Sequence, residues 1–335
     1  MRITKPKTEF AAALQQICAE RNLEVEVVLE TISEAMLAAY KRDYGLEEGF
    51  DYEAKVDPDT GETHLYQWPK DKPEEKKEIT PAGFGRIAAQ VAKQVLLQKI
   101  REAEKNAILE EYSQKIGGLT SGMIIRFEGP NVIVDVGRLE ALMPPEEQVR
   151  EEKYTFNQKL TFLIKGVEET PKGRKLIVSR ADPQIVEALF RREVREVATG
   201  AVKIVKIARD AGSRTKVAVM STQAGVDPVG SCVGQKGVRV QVVIDELGGE
   251  KIDIIQFSED PVKFISAALS PVEKVSRVEI NEKEKKAIVW VPEDQLSLAI
   301  GKNGQNVNLA SQLTGYKIDI KSEKEKSNKR EEEKN

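Results

Sequence analysis

The chain has 335 residues, a length that predicts two or three domains rather than one. Hydrophobic residues make up 40% of the sequence, enough for globular cores, while charged residues make up 32% and aromatic residues only 5%. The net charge of −3 argues against a strong, nonspecific nucleic-acid binder. No apolar run approaches the ~18 residues of a membrane-spanning helix, and the N-terminus lacks the apolar core of a signal peptide. We therefore expect a soluble, cytoplasmic protein.

The charge is unevenly distributed. Residues 1–115 contain 17 Lys and Arg against 22 Asp and Glu, a balance of −5. Residues 183–258 contain 11 against 9, a balance of +2. An acidic front and a slightly basic later part indicate two different partners.

Residues that could carry catalysis or bind a metal are few. Cys18 and Cys232 belong to no Cys/His cluster, which excludes a zinc site, and both are expected to be buried in a reducing compartment. His64 is the only histidine and alternates with apolar residues, so we predict a structural role for it. No phosphate-binding or dinucleotide motif is present. The sequence therefore predicts no catalytic residue, no metal, no cofactor and no enzymatic activity.

The first 115 residues predict a helical domain with one hairpin. Apolar residues at helical spacing indicate two helices over residues 8–42, and alternation around the turn at 57–61 indicates a β-hairpin. A charged linker over 69–77 leads to a long helix over about 82–112. Basic residues lie along the polar side of this helix, where a solvated face is the default interpretation.

Residues 119–182 change in character to short strands. Five strands in about 65 residues fit a small OB-type barrel. Phe127 lies on the first of them and is either a base-stacking platform or a core residue, and we weakly favour stacking. The predicted strands are 123–127, 131–136, 139–143, 160–164 and 176–179.

The last part of the chain repeats one pattern. A Gly-x-x-Gly segment at 234–237 recurs 67 positions later at 301–304. Each copy leads through a helical pattern and a glycine turn into an Ile-Asp-Ile strand, at 252–254 and 318–320. Around both copies the order is helix, strand, strand, helix, helix, strand. The repeat therefore predicts two KH units, which hold single-stranded nucleic acid against this loop.

The spacing of the two glycines suits phosphate binding. Glycine removes Cβ from both ends of a turn between helices, and the N-terminus of the following helix favours a phosphate. Two ordinary turns between helices remain the simpler alternative. Arg214 and the loop cations are the expected phosphate contacts. The predicted RNA-binding residues are Phe127 together with Gly234, Gln235, Lys236, Gly237, Arg239, Gly301, Lys302, Asn303, Gly304, Gln305 and Asn306.

The chain resembles the NusA family of bacterial transcription factors from its N-terminus to about residue 321. The resemblance is carried by the segments 84–90, 131–137, 140–148, 227–234, 248–253 and 299–307. It implies an α+β multidomain fold with a helix/hairpin domain, an OB-fold barrel of ribosomal S-one type and two tandem KH domains of the prokaryotic kind. The expected limits are 1–115 for the N-terminal domain, 116–182 for the barrel, 183–258 and 259–321 for the KH domains, and 322–335 for a disordered charged tail.

The resemblance also implies a function. The family regulates pausing, intrinsic termination and antitermination while bound to RNA polymerase near the exit of the nascent RNA. Residues 1–115 are then expected to bind the polymerase core, through Arg86, Lys93 and Arg101, and the later domains the single-stranded RNA. Other antitermination factors are further expected partners, and the protein is expected to be a monomer. A general RNA-binding module of RNA decay or of ribosome-associated machinery is the alternative, although it leaves residues 1–115 without a role.

Three departures from the family pattern are visible. Asn308 stands where the family usually has an arginine, so one phosphate contact of the family does not carry over to this chain as an expectation. The part of the N-terminal domain between the hairpin and the long helix is short. The acidic helical repeats of some members are not expected after the second KH unit.

Overall fold

The computed structural model describes residues 8–21, 24–170 and 173–323. The chain divides into two compact units, residues 1–111 and 112–335. In the described part of the chain, no helix has both the length and the apolar character that a membrane crossing requires.

The first unit contains the predicted helices and hairpin. A core of Leu14, Ile32, Leu65 and Phe84 joins the helices to the hairpin. A short third strand at the end of the charged linker, which the sequence did not predict, pairs with the hairpin. The elements are α1 (Glu9–Arg21), α2 (Val25–Tyr44), β1 (Phe50–Val56), β2 (Thr63–Pro69), β3 (Lys77–Glu78) and α3 (Phe84–Ser113).

Five strands close the barrel that the sequence predicted. The strand order is β4-β5-β6-β8-β7, and only the β6–β8 pair is parallel, as in an OB-fold. Ile124, Val134 and Phe162 point inward and are fully or almost fully buried. The strands are β4 (Leu119–Glu128), β5 (Asn131–Asp135), β6 (Glu140–Met143), β7 (Lys159–Thr170) and β8 (Gly173–Ser179).

The first KH domain follows the predicted order with one correction. The one helix expected before the first strand is two helices, because Val194 adopts an extended conformation (φ −117°, ψ 109°) with its side chain fully buried. Strand β10 lies between β9, which is antiparallel to it, and β11, which is parallel. The elements are α4 (Gln184–Glu193), α5 (Arg195–Ala198), β9 (Val202–Asp210), β10 (Arg214–Ser221), α6 (Pro228–Val233), α7 (Val238–Glu246) and β11 (Lys251–Gln256).

The second KH domain repeats this topology. Its last strand includes Ser322, which is buried, so the predicted disordered tail cannot begin at residue 322. The rest of that tail, from residue 324 on, lies outside the described residues. The elements are α8 (Pro261–Ala268), β12 (Arg277–Asn281), β13 (Lys286–Val291), α9 (Glu293–Ile300), α10 (Gln305–Thr314) and β14 (Lys317–Ser322).

The sheet of the first KH domain carries a hydrophobic core on each face. On one face Val217 and Val219 pack with α4, α6 and α7 and with Leu163 of the barrel. On the other face Ala218 belongs to a cluster with Ile265 of α8, Leu313 of α10 and the second sheet. The two KH domains are therefore joined by a shared core.

Candidate nucleic-acid interface

The two Gly-x-x-Gly loops have the same backbone conformation. Their first glycines, Gly234 and Gly301, have φ/ψ of 76°/174° and 75°/173°. Their second glycines, Gly237 and Gly304, are left-handed at 78°/10° and 76°/9°. All four values of φ are positive, a region that L side chains rarely occupy, which explains why glycine recurs here.

The middle positions of both loops face the solvent. Lys236 and Asn303 are also left-handed, with φ of 53° and 54°. Gln235 and Lys302 precede them, and all four side chains are exposed. A non-glycine residue with positive φ is uncommon and concentrates at functional turns. The two loops therefore present the same backbone, each with one lysine, at the start of a helix.

Each first glycine lies directly against the residue five positions later. A Cβ on Gly234 would lie 2.8 Å from Cγ of Arg239. A Cβ on Gly301 would lie 2.8 Å from both Cβ and the backbone nitrogen of Asn306. A larger residue would push the loop away from its support in both repeats.

The residue that packs against the first glycine also bonds to the helix before the loop in each repeat. Nη1 of Arg239 donates to the carbonyl of Ser231 (2.8 Å), and Nδ2 of Asn306 donates to the carbonyl of Leu298 (3.0 Å). Ser231 and Leu298 are equivalent positions, 67 residues apart, near the C-terminal ends of α6 and α9. Carbonyls at a helix end have no partner within the helix, so these bonds tie the helix to the loop that follows it.

These bonds correct one predicted RNA contact, Asn306, whereas the predicted contact of Arg239, which is already engaged, stays a prediction. Asn306 is only 2% exposed, and its Nδ2 also donates to the carbonyls of Leu269 and Ala299, so it cannot touch RNA directly. Arg239 forms an ion pair with Glu196 of α5 at 3.0 Å and is not a free cation. Both residues pack against the first glycine of their loop.

Two further candidates are engaged elsewhere. Nε2 of Gln305 donates to Oδ2 of Asp210 and to Oγ of Ser213, both at 2.6 Å. Arg214 forms a bidentate ion pair with Asp253, and only 18% of its side chain is exposed. Lys236 and Lys302 remain as loop cations, and among the described residues neither forms an ion pair.

The barrel offers exposed aromatic rings. Phe127 on β4 is 49% exposed, which contradicts the core alternative and leaves base stacking as its predicted role. Phe156, in the connection before β7, is 64% exposed and was not predicted as a candidate. An aromatic residue within the polar run 155–158 was the only signal for it in the sequence.

Two buried arginines join the barrel to the first KH domain through hydrogen bonds to backbone carbonyls. Arg180 is fully buried, donates to both carboxylate oxygens of Glu152 at 2.6 Å, and reaches the carbonyl of Glu246. Arg209 pairs with buried Glu250 and donates to the carbonyl of Arg180 at 2.9 Å. Each arginine is held by a carboxylate of its own domain, and its bond to a carbonyl of the other domain connects the two. Sequence reasoning missed these residues because their partners are distant along the chain.

In the first unit, the three predicted polymerase-binding residues lie on α3. Arg86, Lys93 and Arg101 are all exposed, and their separations of seven and fifteen residues place them on one side of the helix. A groove of about 670 Å³ lies beside Lys93. Apolar side chains that line it include Phe10, Ala89, Ala92, Leu96, Leu97 and Ile100.

The fold and its paired loops define a multidomain nucleic-acid-binding protein with an OB barrel and tandem KH domains. Residues 9–70 and 69–106 match the NusA N-terminal domain, residues 180–257 the NusA-like first KH domain and residues 261–328 the NusA-like second KH domain. The chain belongs to the NusA family, as the sequence resemblance indicated.

Several relatives are similar over nearly their whole length. The transcription termination/antitermination protein NusA of Halalkalibacterium halodurans is 41% identical over 95% of this chain and 89% of its own. The NusA proteins of Bacillus subtilis and Thermus thermophilus are each 40% identical, over 94% and 92% of this chain and 91% and 89% of theirs. The solution structure of the N-terminal domain of NusA from B. subtilis is 29% identical and covers 29% of this chain and 97% of that one, with a TM-score of 0.25.

Proposed function

We propose that this protein is a transcription elongation factor that binds RNA polymerase and the nascent single-stranded RNA, and thereby modulates pausing, intrinsic termination and antitermination. The observation that carries the proposal is the pair of loops with the same backbone conformation. They lie in two KH domains that share a hydrophobic core. The relatives are named as termination and antitermination proteins, which agrees with this role.

The RNA-binding part is assigned to the barrel and the KH domains. Each KH loop holds about four nucleotides, so the pair should engage roughly eight. Lys236 and Lys302 supply positive charge at the loops, and the starts of α7 and α10 supply N-terminal backbone dipoles. Phe127 and Phe156 offer rings for stacking on the barrel.

The polymerase-binding part is assigned to the first unit. Its charge balance of −5 disfavours RNA, whereas its apolar groove and the exposed cations Arg86, Lys93 and Arg101 on one side of α3 suit a protein surface that is apolar with acidic groups. We keep 1–115, 116–182, 183–258 and 259–321 as the proposed domain limits. Other antitermination factors remain proposed partners, and we propose that the protein acts as a monomer in the cytoplasm.

Charge reversal on α3 tests the assignment. The variant Arg86→Glu/Lys93→Glu should lose binding to core RNA polymerase and no longer lengthen a hairpin-dependent pause, while its affinity for free RNA stays unchanged. The control Lys41→Glu/Lys70→Glu makes the same charge change at exposed positions away from the groove. If the wild type binds RNA but never binds polymerase, the elongation-factor assignment fails and a role in RNA decay or on the ribosome becomes the better account.

A further inference from the structure

One turn of the first KH domain contacts both the barrel and the second KH domain. We propose that this turn between β9 and β10, Asp210 to Ser213 and here called the junction turn, sets the spacing between the two KH loops, and that Gln305 is its positioning residue on the second loop. The proposal rests on the proposed RNA-binding function, because the loops it aligns are the RNA-binding loops.

The second KH loop is attached to the junction turn. Gln305 follows Gly304 directly and begins α10, so the two bonds to Asp210 and Ser213 hold the end of the loop itself. The equivalent residue of the first loop is Val238, which is 63% exposed. A valine side chain cannot form the polar bonds that Gln305 makes, so among the described residues this pair of bonds belongs to the second loop.

The barrel packs on the same turn. Gly212 is left-handed (φ +82°), and a Cβ there would lie 2.4 Å from Cγ1 of Val149 and 3.0 Å from Oε2 of Glu151. The backbone N–H of Gly212 donates to the buried carboxylate of Glu250 at 2.8 Å. The turn is thus fixed from within its own domain and touched by the barrel on one side and the second KH loop on the other.

A fixed spacing matters for RNA that reaches both loops. Once one loop is occupied, the other meets the RNA at an effective concentration that depends on geometry, and this gain is lost if the geometry is wrong. Loosening Gln305 should therefore weaken long RNA specifically. RNA that occupies one loop alone should be unaffected.

The test uses the full chain and two RNAs, one of about four nucleotides and one of about twelve, matched to one and to both loops. Gln305→Ala should lower the affinity for the longer RNA about tenfold, the scale of a lost hydrogen bond to a charged group, and change that for the shorter RNA less than twofold. Asp210→Ala/Ser213→Ala should give the same result from the other side of the contact. Val238→Ala, at the equivalent position of the first loop, is the matched control and should leave the ratio of the two affinities unchanged.

Combining the substitutions separates coupling from direct contact. The triple variant should bind the longer RNA as weakly as Gln305→Ala alone, because one contact is removed from both sides. Equal losses for short and long RNA, or a loss in Gln305→Ala that Asp210→Ala/Ser213→Ala does not reproduce, would overturn the proposal in favour of a direct RNA contact by Gln305. Unchanged affinity for both RNAs would also overturn it. A wild-type protein that binds neither RNA would instead refute the proposed function.

Discussion

The two KH loops share a backbone but differ in what supports it. The first is held by Arg239, which is partly exposed and pairs with Glu196, while Val238 beside it is 63% exposed. The second is held by buried, uncharged Asn306 and attached through Gln305 to the neighbouring domain. The comparison shows that glycine positions specify the loop conformation, whereas the surroundings decide how firmly and by what chemistry it is maintained.

The largest expected difference between the loops concerns stability. Asn306→Ala removes the donor from three carbonyls in a buried site, so the free energy of unfolding should fall by about 2–3 kcal/mol. Arg239→Ala removes a partly exposed ion pair and one bond to the carbonyl of Ser231, and should cost about 1 kcal/mol in urea unfolding. Equal losses in the two variants would mean that the supports are equivalent after all.

Substitutions at the second glycine of each loop separate the effect of an added negative charge on RNA binding from the effect of an added side chain. Gly237 has no neighbour within 4 Å of an added Cβ, and Gly304 meets only the Asn308 side chain at 3.5 Å. Asp and Asn both tolerate the left-handed region, so Gly→Asn tests shape and Gly→Asp adds a carboxylate next to the phosphate. We expect about tenfold weaker RNA binding for Gly237→Asp or Gly304→Asp than for the matching Asn variant, by analogy with the loss of one charge-assisted hydrogen bond. An Asp variant that binds RNA like its Asn partner would remove that loop from the RNA path.

The salt dependence of RNA affinity reports how many loop cations contact phosphate. With Arg214 and Arg239 paired, Lys236 and Lys302 remain, so log affinity should fall by about 1.4 per decade of salt, at roughly 0.7 per phosphate contact. Lys236→Gln and Lys302→Gln should each reduce this slope by about half. A wild-type slope of about 3 would show that the paired arginines release their partners when RNA binds.

The smallest effect is expected from pH. The pKa of the Glu196 carboxyl lies below its usual range, chiefly because its own backbone N–H donates to it, and also because of Arg239. A lowered pKa in the folded state stabilises the fold above the ordinary pKa, and that contribution is lost as pH falls through the lowered value. Glu196 pairs with Arg239, and Arg239 packs against Gly234. Protonation of Glu196 should therefore shift the backbone amide resonance of Gly234 in the acidic part of a titration from pH 7 to about 3. The resonance of Gly301, whose support is uncharged, serves as the control, and a shift of equal size at both glycines would contradict the distinction.

Much of the fold followed from local patterns. Five short strands predicted the barrel, and the repeated glycines with their flanking helices and strands predicted both KH domains. Two local features were missed. Strand β3 has only two residues, both charged, and the break at Val194 depends on burial that helical spacing does not reveal.

The site was predicted less completely because a sequence pattern does not show which polar side chains are already engaged. Gln305 and Asn306 follow a phosphate-binding loop and look like ligand contacts, yet the partner of Gln305 lies 95 residues away and Asn306 points into the interior. Arg239 is paired with a residue 43 positions earlier. Lys236 and Lys302 were predicted as exposed loop cations, and the structure places them so, because their placement depends only on the loop itself.

The double-sided sheet of the first KH domain has a consequence for synthesis of the chain. Ala208, Ala218 and Ile255 lie on the face that packs against elements made later, including α8 and α10. During translation this face stays bare until the second domain has left the ribosome, and bare apolar sheets promote aggregation. Rapid elongation or a chaperone would therefore protect the nascent chain from the emergence of the first KH domain until α8 and α10 have left the ribosome.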